Sequence, residues 1–208
     1  MKNIVVLVSG GGTNLQALID AENRGEIPNG KITCVISSKA DVYALERAKN
    51  NNIKAVIIPR KDYSDNKSYG KAMLKLLKEE NADLIILAGF MTILDEEVIK
   101  AYPNKIINVH PALIPSFCGV GYYGLRVHEE ALKKGVKITG ATVHFVNEKA
   151  DDGAIILQGT SQVKYGDTPE ILQKRVMQEV EWNILPKAAA LFCDDKIFIE
   201  NGNAYIKE

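Results

Sequence analysis

Charge of one sign is the first thing this chain lacks: 26 Lys and Arg stand against 26 Asp and Glu in 208 residues, a formal net charge of zero. No global field draws nucleic acid or an anionic membrane surface, so any anion must be bound locally. Cysteine is scarce. Cys34, Cys118 and Cys193 are odd in number and widely spaced, which argues against a disulfide framework and suits reduced thiols. Three histidines and no His/Cys/Asp cluster at ligand spacing give no reason to expect a metal. No apolar run approaches the roughly 20 residues of a membrane span, and the opening MKNIVVLVSGGG meets glycines too soon for a signal peptide. The expectation is a cytoplasmic protein with small-molecule substrates, no nucleic-acid or membrane partner, and a monomeric or weakly homodimeric state.

What is present is apolar: 46% of the residues are hydrophobic, enough for a full core. One domain over 1–208 is expected, with a phosphate-binding βαβ half at 1–103 and a catalytic half at 104–208. Apolar runs at 3–8, 31–37 and 53–58 read as strands, separated by helical patterns after residue 14 and over 41–50. A helix over 69–80 and a central strand over 83–88 follow. The result is an α/β chain with a Rossmann-like, mostly parallel sheet flanked by helices. Antiparallel strands enter in the C-terminal half, at 137–146 and 154–158, around the acidic turn NEKADDG. Thr168-Pro169-Glu170 opens a long helix that Pro186 is expected to kink or divide. A terminal hairpin turns at Asn201-Gly202.

Two stretches carry chemistry. The first, NKIINVHPALIPSF at 104–117, is a buried strand that ends in a histidine followed by proline. Pro111 holds His110 extended and stops the ladder, and alternation puts Asn108 and His110 on one face. An amide and an imidazole aimed at one point suit a reaction that builds negative charge on a carbonyl oxygen. An isolated NVH is equally a capped strand with a structural histidine. The second, Ser9-Gly10-Gly11-Gly12-Thr13-Asn14, joins a strand to a helix. It lacks the spacing of a dinucleotide or nucleoside-triphosphate loop and reads as a cradle for a single phosphate, or as a tight turn capped by Thr13 or Asn14. Phe90, Met91 and Leu94 follow a strand end and are either an apolar slot or core. His144 is expected to support rather than to catalyse.

Taken together, SGGGTNLQ at 9–16, LAGFMTIL at 87–94, NVHPALIPSF at 108–117, GATVHFV at 140–146 and DDGAIILQ at 151–158 resemble the phosphoribosylglycinamide formyltransferases, folate-dependent enzymes of purine synthesis, along essentially the whole length. The Asn-His pair with HPxLxP is shared with other folate formyltransferases and with 10-formyltetrahydrofolate hydrolases, so it argues reaction type. The glycine loop narrows the acceptor. The resemblance implies Asn108, His110 and Asp151 as catalytic residues, and Gly11, Gly12, Thr13, Asn14, Met91, Pro111 and Glu181 as contacts to glycinamide ribonucleotide. It also implies 10-formyltetrahydrofolate as co-substrate, held by Lys67, Phe90, Met91, Thr92, Ile93, Leu94, Asn108 and Val143. Thr92 and Trp182 stand where the family often has a basic residue and a histidine.

The mechanism so implied has the acceptor amine attack the formyl carbon while Asn108 and His110 stabilise the oxyanion. Asp151 is expected to raise the pKa of His110, keep it protonated, and accept the amine's proton. Another folate formyltransferase or the hydrolase is the alternative. A non-catalytic nucleotide-binding module, needing the glycine loop but not His110, is a third.

Overall fold

A computed structural model describes residues 1–207. Nine strands and seven α-helices follow in chain order: β1 Lys2–Val8, α1 Thr13–Asn23, β2 Gly30–Ser37, α2 Tyr43–Asn50, β3 Lys54–Ile57, α3 Asn66–Glu79, β4 Leu84–Leu87, α4 Glu96–Ala101, β5 Ile106–His110, α5 Leu125–Lys134, β6 Ile138–Phe145, β7 Ile155–Gln162, α6 Pro169–Val176, α7 Trp182–Cys193, β8 Ile197–Glu200 and β9 Asn203–Ile206. A 3-10 turn, Arg60–Asp62, precedes α3, and a π turn, Met177–Glu181, lies between α6 and α7.

The main sheet runs β3-β2-β1-β4-β5-β6-β7, parallel from β3 to β5 and antiparallel from β5 to β7. Both faces are covered. Ile4, Val6 and Val8 of β1 face the cluster under α1, α2, α6 and α7, while Val5 and Leu7 face the cluster under α3 and α4. This is why β1 reads as an unbroken apolar run: a parallel strand buried on two faces has no solvent side to mark. The chain reverses its strand order between β1 and β4, and ligands in such sheets bind beyond the strand ends at that point. The glycine loop after β1, residues 88–95 after β4, and His110 at the end of β5 all leave the sheet there.

Three expectations are corrected. Helix α3 begins at Asn66 rather than 69, because the Asp65 side chain caps it by accepting the Ser68 N–H at 2.7 Å. Strand β7 runs on to Gln162: its last residues carry no apolar alternation, but the β6 register, Ile138 opposite Gln162, keeps them paired. Pro186 neither kinks nor divides the helix; it sits buried inside α7. The irregularity falls earlier, at the π turn, where the Asn183 side-chain amide donates to the Glu179 carbonyl at 2.8 Å. No helix among the described residues is long and apolar enough to cross a membrane.

Candidate active site

His110 is the last residue of β5 and is 4% exposed. Antiparallel pairing sets Asn108 opposite His144 and His110 opposite Thr142, so four polar side chains share one face. The His144 Nδ1–H donates to the Phe145 carbonyl at 2.8 Å. Its Nε2 is thereby left as an acceptor, 3.2 Å from the Asn108 Nδ2. One N–H of the Asn108 amide is committed to that ring. The other remains for a ligand.

Asp151 reaches this face from the β6–β7 connection. Its Oδ2 lies 3.5 Å from Nδ1 of His110, and its Oδ1 lies 3.6 Å from Nε2 of His144. The connection folds tightly: a Cβ on Gly153 would stand 1.8 Å from the Phe145 carbonyl oxygen, so only glycine fits two residues after Asp151. Asp151 itself takes a left-handed backbone, φ 55°, which aspartate tolerates better than most residues. Burial lifts the pKa of its carboxyl, but His144, His110 and the Gly119 N–H, which donates at 2.8 Å, outweigh that and hold it below the usual range.

The segment 116–124 covers the pair. Its Phe117 carbonyl accepts the His110 Nε2–H at 2.8 Å, and its Gly119 N–H is the donor to Asp151. With Nε2 carrying the proton, the neutral ring turns an unprotonated Nδ1 toward Asp151. The expected protonated resting state of His110 is therefore corrected. Burial lowers its pKa more than Asp151 and the Phe117 carbonyl raise it, and His144 adds to the lowering.

On the other side of the strand-order reversal, Gly12 adopts φ 71° and caps α1. A Cβ there would stand 2.7 Å from that of Ala44, so glycine also lets α1 and α2 approach. Gly10 and Gly11 face open space, with no atom within 4 Å of a built Cβ. The α1 start offers its unpaired N–H groups beside this opening. Asn14 is not a solvent-facing cap: it is buried and donates from Nδ2 to Oε2 of Glu181 at 2.7 Å, leaving its own Oδ1 without a partner. Glu181 belongs to the π turn, a distortion that often marks functional positions, and burial raises its carboxyl pKa. Thr13 meets the same turn through Met177, Oγ1 to Sδ 3.1 Å.

The segment after β4 divides between shelf and core. Met91 and Ile93 are 53% and 79% exposed, whereas Leu94 is buried and Phe90 packs against the α3–α4 core. The Met91 N–H donates to the Ser9 hydroxyl at 2.9 Å, and Ser9 is bonded in turn to Ser38 at 2.7 Å. Val143 is corrected: its side chain is completely buried in the opposite core and has no surface to line a slot. Lys67 is exposed on the first turn of α3, 3.8 Å from Glu97, and makes no polar contact with the His110 cluster. Thr92 and Pro111 are partly buried.

Sequence reasoning gave no role to Thr142 and Gln158, which hold the turn after His110. Thr142 donates to the Ala112 carbonyl at 2.7 Å, and Gln158 donates to the Ile114 carbonyl at 3.0 Å. The placement of Thr142 on the His144 face was the one signal that pointed there. The Phe117 carbonyl and the Gly119 N–H, being backbone, left none.

A parallel sheet with a phosphate-sized glycine opening, joined at its edge to an Asn/His/Asp cluster built around one carbonyl-sized space, defines a group-transfer catalyst. The chain belongs to the formyl transferase family, whose family model matches residues 2–189. It is 41% identical over 206 residues to the phosphoribosylglycinamide formyltransferase of Haemophilus influenzae, covering 99% of this chain and 94% of that one. The solved glycinamide ribonucleotide transformylase 1 of Symbiobacterium toebii superposes with a TM-score of 0.94 at 40% identity, over 100% of this chain and 95% of that one. A formyltetrahydrofolate deformylase from Pseudomonas syringae shares the fold, with a TM-score of 0.89 at 26% identity, over 100% of this chain and 66% of that one.

Proposed function

We infer that this chain transfers the formyl group of 10-formyltetrahydrofolate to the amine of glycinamide ribonucleotide, giving formylglycinamide ribonucleotide and tetrahydrofolate in purine biosynthesis. The observation that carries the reading is the convergence of Asn108, His110 and Asp151 within 3.2–3.6 Å links at the edge that also bears the open glycine loop. Folate would supply the activated formyl group and lie on the apolar shelf of Met91 and Ile93, whose exposure suits a flat ring. The acceptor's phosphate would sit on Gly11, Gly12 and Thr13, with Glu181 toward its ribose. Lys67 and Thr92, at the far end of the shelf, would face the folate's outer part.

The residues divide the work. As the amine attacks, the free N–H of Asn108 meets the charge growing on the formyl oxygen. The amine's proton passes to Nδ1 of His110, where the carboxylate of Asp151 at 3.5 Å stabilises the imidazolium. That proton then leaves with the folate nitrogen. A neutral resting histidine suits this better than a charged one, because the base must be empty before it can receive.

Incubation with glycinamide ribonucleotide and 10-formyltetrahydrofolate, following folate product by absorbance, is the test. Turnover that requires the amine is expected. Turnover with water alone would instead place the chain with the deformylase.

A further inference from the structure

The glycine loop is backed by a helix that the formyl-transfer steps do not use. All three of its glycine carbonyls are occupied: Gly10 accepts from the Ala44 N–H at 3.3 Å, Gly11 from Nε of Arg47 at 2.9 Å, and Gly12 from the Gln16 N–H at 2.9 Å. In a trans peptide the carbonyl and the following N–H point in opposite directions. Holding these carbonyls against α1 and α2 therefore turns the N–H groups of Gly11, Gly12 and Thr13 the other way, toward the side where Gly10 and Gly11 meet no neighbouring atom.

Two of the three holding groups are backbone. Arg47 is the one side chain, and it is itself fixed: Nη1 donates to Oε1 of Gln16 at 2.9 Å, and the guanidinium lies 4.8 Å from the centre of the Tyr43 ring. The group is half-buried on α2, directly behind the peptide whose amide is Gly12 N–H. A planar guanidinium can hold a carbonyl and a side-chain amide at once while keeping its charge, which a lysine cannot do with the same geometry.

We propose that Arg47 is the positioning residue of the phosphate subsite, orienting the Gly11–Gly12 peptide outward and placing a fixed positive charge behind the loop. This rests on the reading that the loop holds the acceptor's phosphate. Arg47 does not touch the phosphate; it acts through the Gly11 carbonyl. Loss of the guanidinium should release that peptide to rotate and remove one aligned donor from a charge-assisted set.

The test compares wild type with Arg47→Met and Arg47→Lys, measuring kcat, KM for each substrate, and competition by inorganic phosphate against the acceptor. Arg47→Met should raise both the acceptor KM and the phosphate Ki by about tenfold, the scale of one charge-assisted bond. Its kcat should stay within about twofold and the formyl-folate KM should not move, a split that general loosening would not give. Arg47→Lys, retaining charge and one donor, should fall between, at about threefold, and it carries the test if the methionine variant does not fold. Wild type competed by phosphate, with variants whose acceptor KM is unchanged, overturns this proposal alone. Wild type that phosphate does not compete overturns the phosphate reading and the proposal with it.

Discussion

The Phe117 carbonyl accepts the Nε2 proton of His110 at 2.8 Å, and that single contact sets the tautomer of the ring. Phe117 holds it from a left-handed backbone, φ 51°, unusual for a bulky residue and consistent with a segment shaped for the contact. Nitrogen NMR of the imidazole at pH 7 should show Nε2 protonated and Nδ1 bare, with titration below the ordinary 6.5. A ring already doubly protonated at pH 7 would contradict the proton path through Nδ1.

His128 should make the fold acid-sensitive. It is completely buried on α5, neither ring nitrogen has a partner, and its pKa is pushed down to about 4. Burial is the main cause, with His110 adding to it. The unfolded chain binds a proton near 6.5 that the fold refuses until about 4, so this contribution is complete above pH 6.5 and lost as pH falls toward 4. The loss is about 3 kcal/mol at most. His128→Leu should leave stability at pH 7 equal or higher, because no hydrogen bond is removed. Chemical denaturation from pH 7 to pH 4.5 should show a shallower decline than wild type, with His110 supplying what slope remains.

Glu181 works in the opposite sense. Burial raises its pKa and Asn14 only partly offsets this, so the fold holds a proton that the unfolded chain has lost. Its contribution is complete below about pH 4.5 and declines as pH rises through the folded value. Glu181→Gln should therefore gain stability over wild type at pH 8 and lose that advantage by pH 5. If Glu181 contacts the acceptor, KM for that substrate should rise about tenfold, the scale of a hydrogen bond to a charged group. Unchanged acceptor KM would leave Glu181 a structural partner of Asn14.

Gly153→Ala should be severe. The added methyl would meet the Phe145 carbonyl at 1.8 Å, so the β6–β7 turn must open and carry Asp151 away from His110. A melting temperature lower by several degrees and turnover reduced about a hundredfold are expected. Wild-type turnover would mean that the turn has slack the geometry does not show.

Much of this was legible in sequence because the informative residues sit at strand ends, where local rules apply. Pro111 after His110 fixed the strand's end, alternation placed Asn108 and His110 on one face, and the glycine loop announced a strand-to-helix turn. The neutrality of His110 was not legible, since a carboxylate neighbour and burial act in opposite directions and only coordinates say which is larger. Nor was the π turn at 177–181: its residues, MQEVE, carry the same helical pattern as their neighbours. Val143 looked like slot lining because a strand buried on both faces has no sequence mark for which side a ligand takes.

The most direct measurement is formyl-transfer turnover by purified, folded Asp151→Asn, with glycinamide ribonucleotide and 10-formyltetrahydrofolate both saturating. The substitution keeps size and an acceptor oxygen while removing the charge that faces Nδ1 of His110 across 3.5 Å. Turnover should drop about a hundredfold or more, roughly 3 kcal/mol, with the melting temperature near that of wild type. Turnover within a few-fold of wild type would contradict a His110–Asp151 proton path.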